Sequence, residues 1–296
     1  AYSREDERAA DEHALSILGQ QIFSPVPIVV RAKWSPSLGA SLGSARAETR
    51  FSSGSPPFMA STLYDVALAN ALSGSDLSPA AVDIDSNFNA NTSNWYFGTD
   101  ANPPAGTIDF VTFALSQLIH GLAFSNSFQV GGGVASHSGQ GFPQIFDRFV
   151  ENGTGQMLID TGLFPNGSAA LKAQLESNDV FFDGPAVRGA NGGNPVKLFA
   201  PGAYQGGVSI FYLDGATFPQ GNANSLMTPV LNLGEAIHSL GPLTLAVLQD
   251  LGWIVAGVDT DGDTLTDFFE ITSGLDHTSA VGDNGASGDP DGDGQT

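Results

Sequence analysis

Apolar and polar positions along this chain switch repeatedly between helical and alternating spacing, the pattern of a mixed α and β protein. Residues 1–22 set Ala9, Ala10, Ala14, Leu15 and Leu18 at roughly helical intervals. They predict a short amphipathic helix, either packed on its own domain or held out as an arm to a neighbouring subunit. The β-branched run in residues 25–33 predicts a strand. Residues 34–60, rich in Ser, Gly, Ala and Pro, read as an extended loop, and residues 64–72 return to helical spacing. Over 83–89, the oxygen-bearing Asp83, Asp85, Asn87 and Asn89 occur at every second position. That alternation predicts a half-buried strand with a polar face in water, and it would also suit a hard-cation site.

The most strongly patterned stretch is 106–124, GTIDFVTFALSQLIHGLAF. Thr107 or Asp109 can cap a helix whose apolar positions are Phe110, Phe113, Ala114 and Leu118. Ser116 and His120 lie four apart and share a face, and Gly121 can end the helix. Residues 131–219 are Gly- and Asn-rich, with strands predicted over 145–150, 179–182, 196–199 and 208–213 and a helix over 168–175. Residues 243–251 predict a closing helix before Gly252 and Trp253. Composition changes at Val258. The chain therefore divides into a helix or arm (1–22), a main α+β domain (23–257) and an acidic segment (258–296).

With 296 residues, 41% of them apolar, the chain can bury the core of one large domain. No apolar run is long enough to span a bilayer. The lack of cysteine excludes a disulfide framework and a thiolate metal site, and says nothing about compartment. Residues 1–22 are charged and lack a continuous apolar region, so they do not read as a signal peptide, and a secreted protein would be present here in processed form. A net charge of −21, with only ten Lys and Arg, argues against nucleic acid and anionic membranes as partners. Three Asn-x-Ser/Thr sequons, at Asn91, Asn152 and Asn166, arise readily by chance in such a text and carry little weight.

The acidic segment has a spacing that charge alone does not require. Asp259, Asp261, Asp263, Asp267 and Glu270 occupy positions 1, 3, 5, 9 and 12 of a calcium loop, and Leu265 at position 7 would offer its carbonyl. Thr264 stands where an EF-hand has glycine. Asp289, Asp291 and Asp293 open a second repeat, which Asp276 and Asp283 can join. So many acids in so few residues repel one another unless a cation is bound. The pattern is similar to thrombospondin type 3 repeats and the short Asp-rich calcium repeats of bacterial surface proteins.

Several blocks carry a second likeness: PIVV at 27–30, residues 64–71, WYFGTD at 95–100, the 109–124 helix, DGP at 183–185, and SLMTPVLNLGEAIHSLGPLTLAVLQDLGW at 225–253. In this order they resemble a family of bacterial secreted, metzincin-like zinc metalloproteases, over roughly residues 26–255. The resemblance implies an α+β protease fold with a twisted sheet, an active-site helix and a turn built around a methionine. It also implies three histidines on zinc and a glutamate base, with a fourth position open to water.

This chain keeps that frame and changes its chemistry. The helix motif places the first histidine at Ser116, the base at Gln117 and the second histidine at His120. The downstream block places the third histidine at Tyr212 and the following glutamate at Gly215, and the methionine of the turn at Met227. A neutral glutamine cannot take a proton from water, and Ser, His and Tyr together would hold zinc far more weakly than three imidazoles. No catalytic residue and no zinc are therefore expected, and calcium is the expected cofactor. His120 would then be a relic bonded inside a closed cleft, unless His137 or His238 converges on it. A Ser116–His120 nucleophile pair would lack an orienting acid and an oxyanion hole. The expectation is an extracellular or cell-surface, calcium-stabilised pseudoprotease with an adhesive, matrix or self-assembling role. Its partner would be a second copy or a surface or matrix component. The rivals are an active protease with unusual ligands and a peptide- or glycan-binding module using the old cleft.

Overall fold

The apolar stripe of the first segment is buried as its spacing predicts. The computed structural model describes residues 4–137, 141–286 and 288. In helix α1 (Arg4–Gly19), Ala10, Ala14 and Leu18 are buried, while Ala9 is exposed. Strand β1 (Ile22–Phe23) follows. The next strand, β2 (Val30–Ser35), starts later than its β-branched run suggests. Pro25 and Pro27 have no N–H to give a ladder, and the Val29 N–H is spent on the Asp83 carboxylate at 2.7 Å.

Residues 34–60 are not simply a loop, because they contain β3 (Gly43–Ala47) and β4 (Arg50–Phe51). The Ser, Ala and Arg of β3 have little strand propensity, and its pairing with a buried neighbour decides the matter. β5 (Tyr64–Asp65) pairs with β4, which delays the predicted helix to α2 (Val66–Ser73) with Asp65 at its N-cap position. β6 (Ile84–Asn89) is the middle of the sheet β2–β6–β3, parallel to β2 and antiparallel to β3. β7 (Trp95–Tyr96) pairs with β8 (Ile108–Asp109), which runs directly into α3 (Phe110–Gly121).

All twelve residues of α3 are buried. One side meets α1 and the other meets β3 and β6, so a helix that is apolar nearly all round is the physical requirement. Phe88, Trp95, Phe97, Phe110 and Phe113 form one aromatic cluster with Trp34, at centroid separations of 4.8–6.5 Å. Each fully buried Phe in it contributes about 1.5–3 kcal/mol. Gly121 is needed for close approach: a Cβ there would lie 2.5 Å from Ile84 Cγ2. The helix runs through it to a cap at Leu122.

Beyond α3 come β9 (Gln129–Gly131), β10 (Val134–Ser136), β11 (Val150–Asn152), α4 (Ala169–Leu175), β12 (Val180–Phe182), α5 (Pro185–Ala190) and β13 (Val196–Lys197). The strand predicted over 145–150 is mostly a 3-10 turn, because the Asp147 carboxylate accepts the Gln144 and Ser127 N–H groups and pins it. The strand predicted over 208–213 does not form either. Ile210 sits at φ +69°, outside the extended region, and only Leu213 makes a bridge, to Leu198. The described strands fall into six small sheets, none wider than three strands, in a mixed α and β chain.

α6 (Pro242–Leu251) ends at Gly252, which is left-handed, and β14 (Ile254–Val255) pairs with β1. The Trp253 indole donates to the Leu122 carbonyl at 2.9 Å and ties this end to α3. The acidic segment holds α7 (Asp267–Ser273), whose Phe268 meets Phe23 edge-on at 6.1 Å. Among the described residues, no helix is long and apolar enough to cross a membrane.

Candidate functional site

The five positions singled out around the central helix come together. Asp109 caps α3, accepting the Thr112 N–H at 2.8 Å, and this fixes which side chains face the cleft. Ser116 donates to the Phe113 carbonyl at 3.0 Å and accepts the Gln117 amide at 3.2 Å. Gln117 and Tyr212 line the same cavity, and the Gln117 amide partly opposes the upward shift of the Tyr212 hydroxyl. The Tyr212 ring stands edge-on to His120 at 4.7 Å. Met227, fully buried, closes the 3-10 turn Ser225–Met227 against α3, and its carbonyl accepts the Leu213 N–H at 2.7 Å. That bond fixes the position of Tyr212, one residue away.

His120 is the remaining imidazole. Its Nδ1 donates to the Phe124 carbonyl at 2.8 Å, which leaves Nε2 as a bare acceptor, buried and without a partner. Burial pulls its pKa down to about 4, only partly opposed by the Phe124 bond, so the ring is neutral at ordinary pH. It lines a cavity of about 280 Å³ with Gln117, Tyr212, Asn126 and Arg50. Burial also raises the Tyr212 hydroxyl, keeping it protonated.

The other histidines do not complete this site. His238 Nε2 lies 2.8 Å from Asp109 Oδ2 at the opposite end of α3, with the His13 ring 5.7 Å away. His137 is buried beside Phe128, and both its ring nitrogens lack partners. Ser116 makes no bond to His120, so the nucleophile pair is not assembled. The alternating acids of β6 are spent elsewhere: Asp83 accepts from Asn70 and Val29, and Asp85 pairs with Arg31 and Lys33.

Pattern reading missed the cleft floor. Arg50 Nε meets Asp65 Oδ1 at 2.8 Å, with the Asp65 carboxylate buried and also bonded by Ser125. Burial raises the Asp65 pKa more than Arg50 lowers it. The one signal available was Asp65 ahead of an apolar helix, which reads only as a cap.

In the acidic segment, Asp259, Asp261 and Asp263 bring ligand oxygens within 4.8 Å of one another. Among the described residues this is the only such group of three or more His, Asp or Glu. The loop is shaped by its own carboxylates: Asp259 accepts the N–H of Gly262 and Thr264, and Asp263 those of Leu265 and Ala286. Thr264 takes φ +85°, the left-handed turn for which glycine is the usual residue.

Glu270, on α7, lies outside that group of three but near enough for the charges of Asp261, Asp263 and Asp267 to act on it. Its side chain is buried, neither oxygen has a hydrogen-bond partner, and one oxygen of Asp261 is orphaned too. Burial, and then the charges of Asp261, Asp263 and Asp267, raise the Glu270 pKa. Unpaired buried carboxylate oxygens facing other acids fit a hard divalent cation taking oxygen ligands. Asp267, at position 9, also holds the backbone of the loop. Its carboxylate accepts the Thr260 N–H at 2.7 Å and the Thr260 hydroxyl at 2.6 Å, bracing the loop. Asp289, Asp291 and Asp293 lie outside the described residues.

No protein-family model, curated protein or solved structure matches this chain.

Proposed function

We propose that this chain is an extracellular, calcium-stabilised pseudoprotease of metzincin-like descent, working as a structural or self-assembling surface protein. The observation that carries this is the set of side chains gathered with His120 on one cavity: Gln117 and Tyr212, with Ser116 bonded to Gln117, and, among the described residues, no second imidazole or carboxylate beside the ring except the Arg50-paired Asp65. The residues standing in the base and third-ligand positions are a neutral amide and a phenol kept protonated by burial, so the first cannot take a proton from water and the second is a poor substitute for an imidazole on zinc. The side chains there supply one imidazole nitrogen, an amide and two hydroxyls, which is a poor set for a cation that prefers nitrogen and thiolate. The acidic segment supports the calcium part, with Asp259, Asp261, Asp263 and Glu270 as ligands and Asp267 as a brace. The test is paired: hydrolysis of a denatured protein substrate with added zinc, and thermal unfolding with calcium or a chelator. No hydrolysis with a calcium-dependent rise in Tm supports the reading; chelator-sensitive hydrolysis overturns it.

A second reading has one observation in its favour. The cavity of about 280 Å³, lined by His120, Tyr212, Gln117, Asn126 and Arg50, offers polar groups to a small polar ligand such as a short peptide or sugar. Ligand-induced shifts of the His120 ring signals, lost in Tyr212→Phe, would favour it.

A further inference from the structure

The sheet face turned away from α3 has a charge balance opposite to that of the whole chain. Strand register sets Arg31, Asp85 and Arg46 in one row across β2, β6 and β3, and Lys33, Asn87 and Ser44 in the next. Their alternate neighbours, such as Ile84 and Phe88, point inward and are buried. Three of the ten Lys and Arg thus share a patch with two acids, Asp85 and Glu48, on a molecule of net charge −21. The Asp85 carboxylate is divided between Arg31 at 2.8 Å and Lys33 at 2.9 Å. Both cations keep much of their side chain in solvent, at 39% and 47% exposure. Arg46 is exposed and has no ion pair among the described residues. The sheet face is therefore a net cationic surface with unspent charge.

The acidic segment is its complement. Residues 259–296 hold ten acids and no Lys or Arg. Among the described residues, no ion pair joins this segment to any Lys or Arg of its own chain. One bound calcium would leave it strongly negative.

We propose that the β2–β6–β3 outer face is the docking surface for the acidic calcium segment of a second copy of this chain. Opposite fields steer encounter and fix orientation, and they act most strongly at low salt. Because the two patches differ, the contact can repeat head-to-tail into a ring or an open filament, or be exchanged reciprocally between two copies in a closed dimer. This proposal rests on the self-assembly part of the proposed function and names the surfaces that would carry it.

The test uses the full chain in millimolar calcium, followed by sedimentation velocity at low and high salt. Arg46→Glu is the primary variant, since it breaks no ion pair, and circular dichroism checks its fold. The expected result is salt-sensitive association that Arg46→Glu weakens by at least ~10-fold. A zero-length carbodiimide cross-link between Lys33 of one isotopically labelled copy and an acid of residues 259–296 of an unlabelled copy is also expected. Association that is indifferent to Arg46→Glu, with cross-links elsewhere, overturns the docking surface and leaves self-assembly standing. A chain that stays monomeric overturns both. A monomer whose binding to a heparin probe is lost in Arg46→Glu assigns the face to a polyanion and overturns the second-copy partner.

Discussion

His120 donates through Nδ1 to the carbonyl of Phe124, four residues on, at 2.8 Å, and this one bond fixes the tautomer of the ring. Nε2 is left as a buried, unshared acceptor, the state in which an imidazole binds a metal. The ring is therefore orientated as a ligand, in a site where its neighbours are not ligands. Imidazoles placed at the neighbouring positions should complete a zinc site. Ser116→His with Tyr212→His should take up one zinc per chain by elemental analysis, while Gln117→Glu alone should take up none. Zinc in the single variant, or none in the double, would contradict the placement of Ser116 and Tyr212 around His120.

Glu270 gives the proposed calcium site a diagnostic sign. Without calcium its buried carboxylate opposes Asp261, Asp263 and Asp267, so Glu270→Gln should raise Tm in a chelator. With calcium the same substitution removes a ligand and should lower Tm relative to the parent. The parent itself should gain about 2.7 kcal/mol at calcium a hundredfold above Kd. A substitution effect of the same sign in both conditions would count against Glu270 as a ligand.

Thr264 shows how much of the loop was legible. The 1-3-5-12 acid spacing was readable, and so was the misfit of Thr264 in a glycine position. The bonds from Thr260 to Asp267 were not, because no spacing rule reports them. Helices α3, α4 and α6 were legible because apolar periodicity coincides with end signals at Asp109, Ser168 and Gly252. Strand β3 was hidden, since Gly43 and Ala45 are small because Phe113 and β6 approach closely, not because the chain loops there. Tyr212 could be placed at the site by motif, but its edge-on packing against the His120 ring is a tertiary contact that no local pattern reports.

The strain at Thr264 is itself measurable. A non-glycine residue at φ +85° should be relieved by Thr264→Gly, stabilising the calcium-loaded chain by roughly 1 kcal/mol in urea unfolding. Unchanged or reduced stability would mean that the turn is not the strained position of the loop.

Asp147 predicts a pH dependence of the core. Burial raises its pKa from 3.8 to about 6, against the opposing bonds from Ser127 and Gln144. A carboxyl with a raised folded-state pKa binds its proton more tightly folded than unfolded, so its contribution falls as pH rises from about 4 to 6. The loss is on the order of 2–3 kcal/mol, and an NMR titration of the Asp147 carboxyl carbon should show a midpoint near 6. A midpoint near 4 would refute the assignment.

The most direct test of the account is metal content per chain after equilibrium dialysis against zinc and calcium together, followed by passage into metal-free buffer. The account predicts at least one calcium and no retained zinc, with calcium lost in Asp261→Ala. One tightly held zinc per chain would contradict it, and protease activity would then have to be sought around His120.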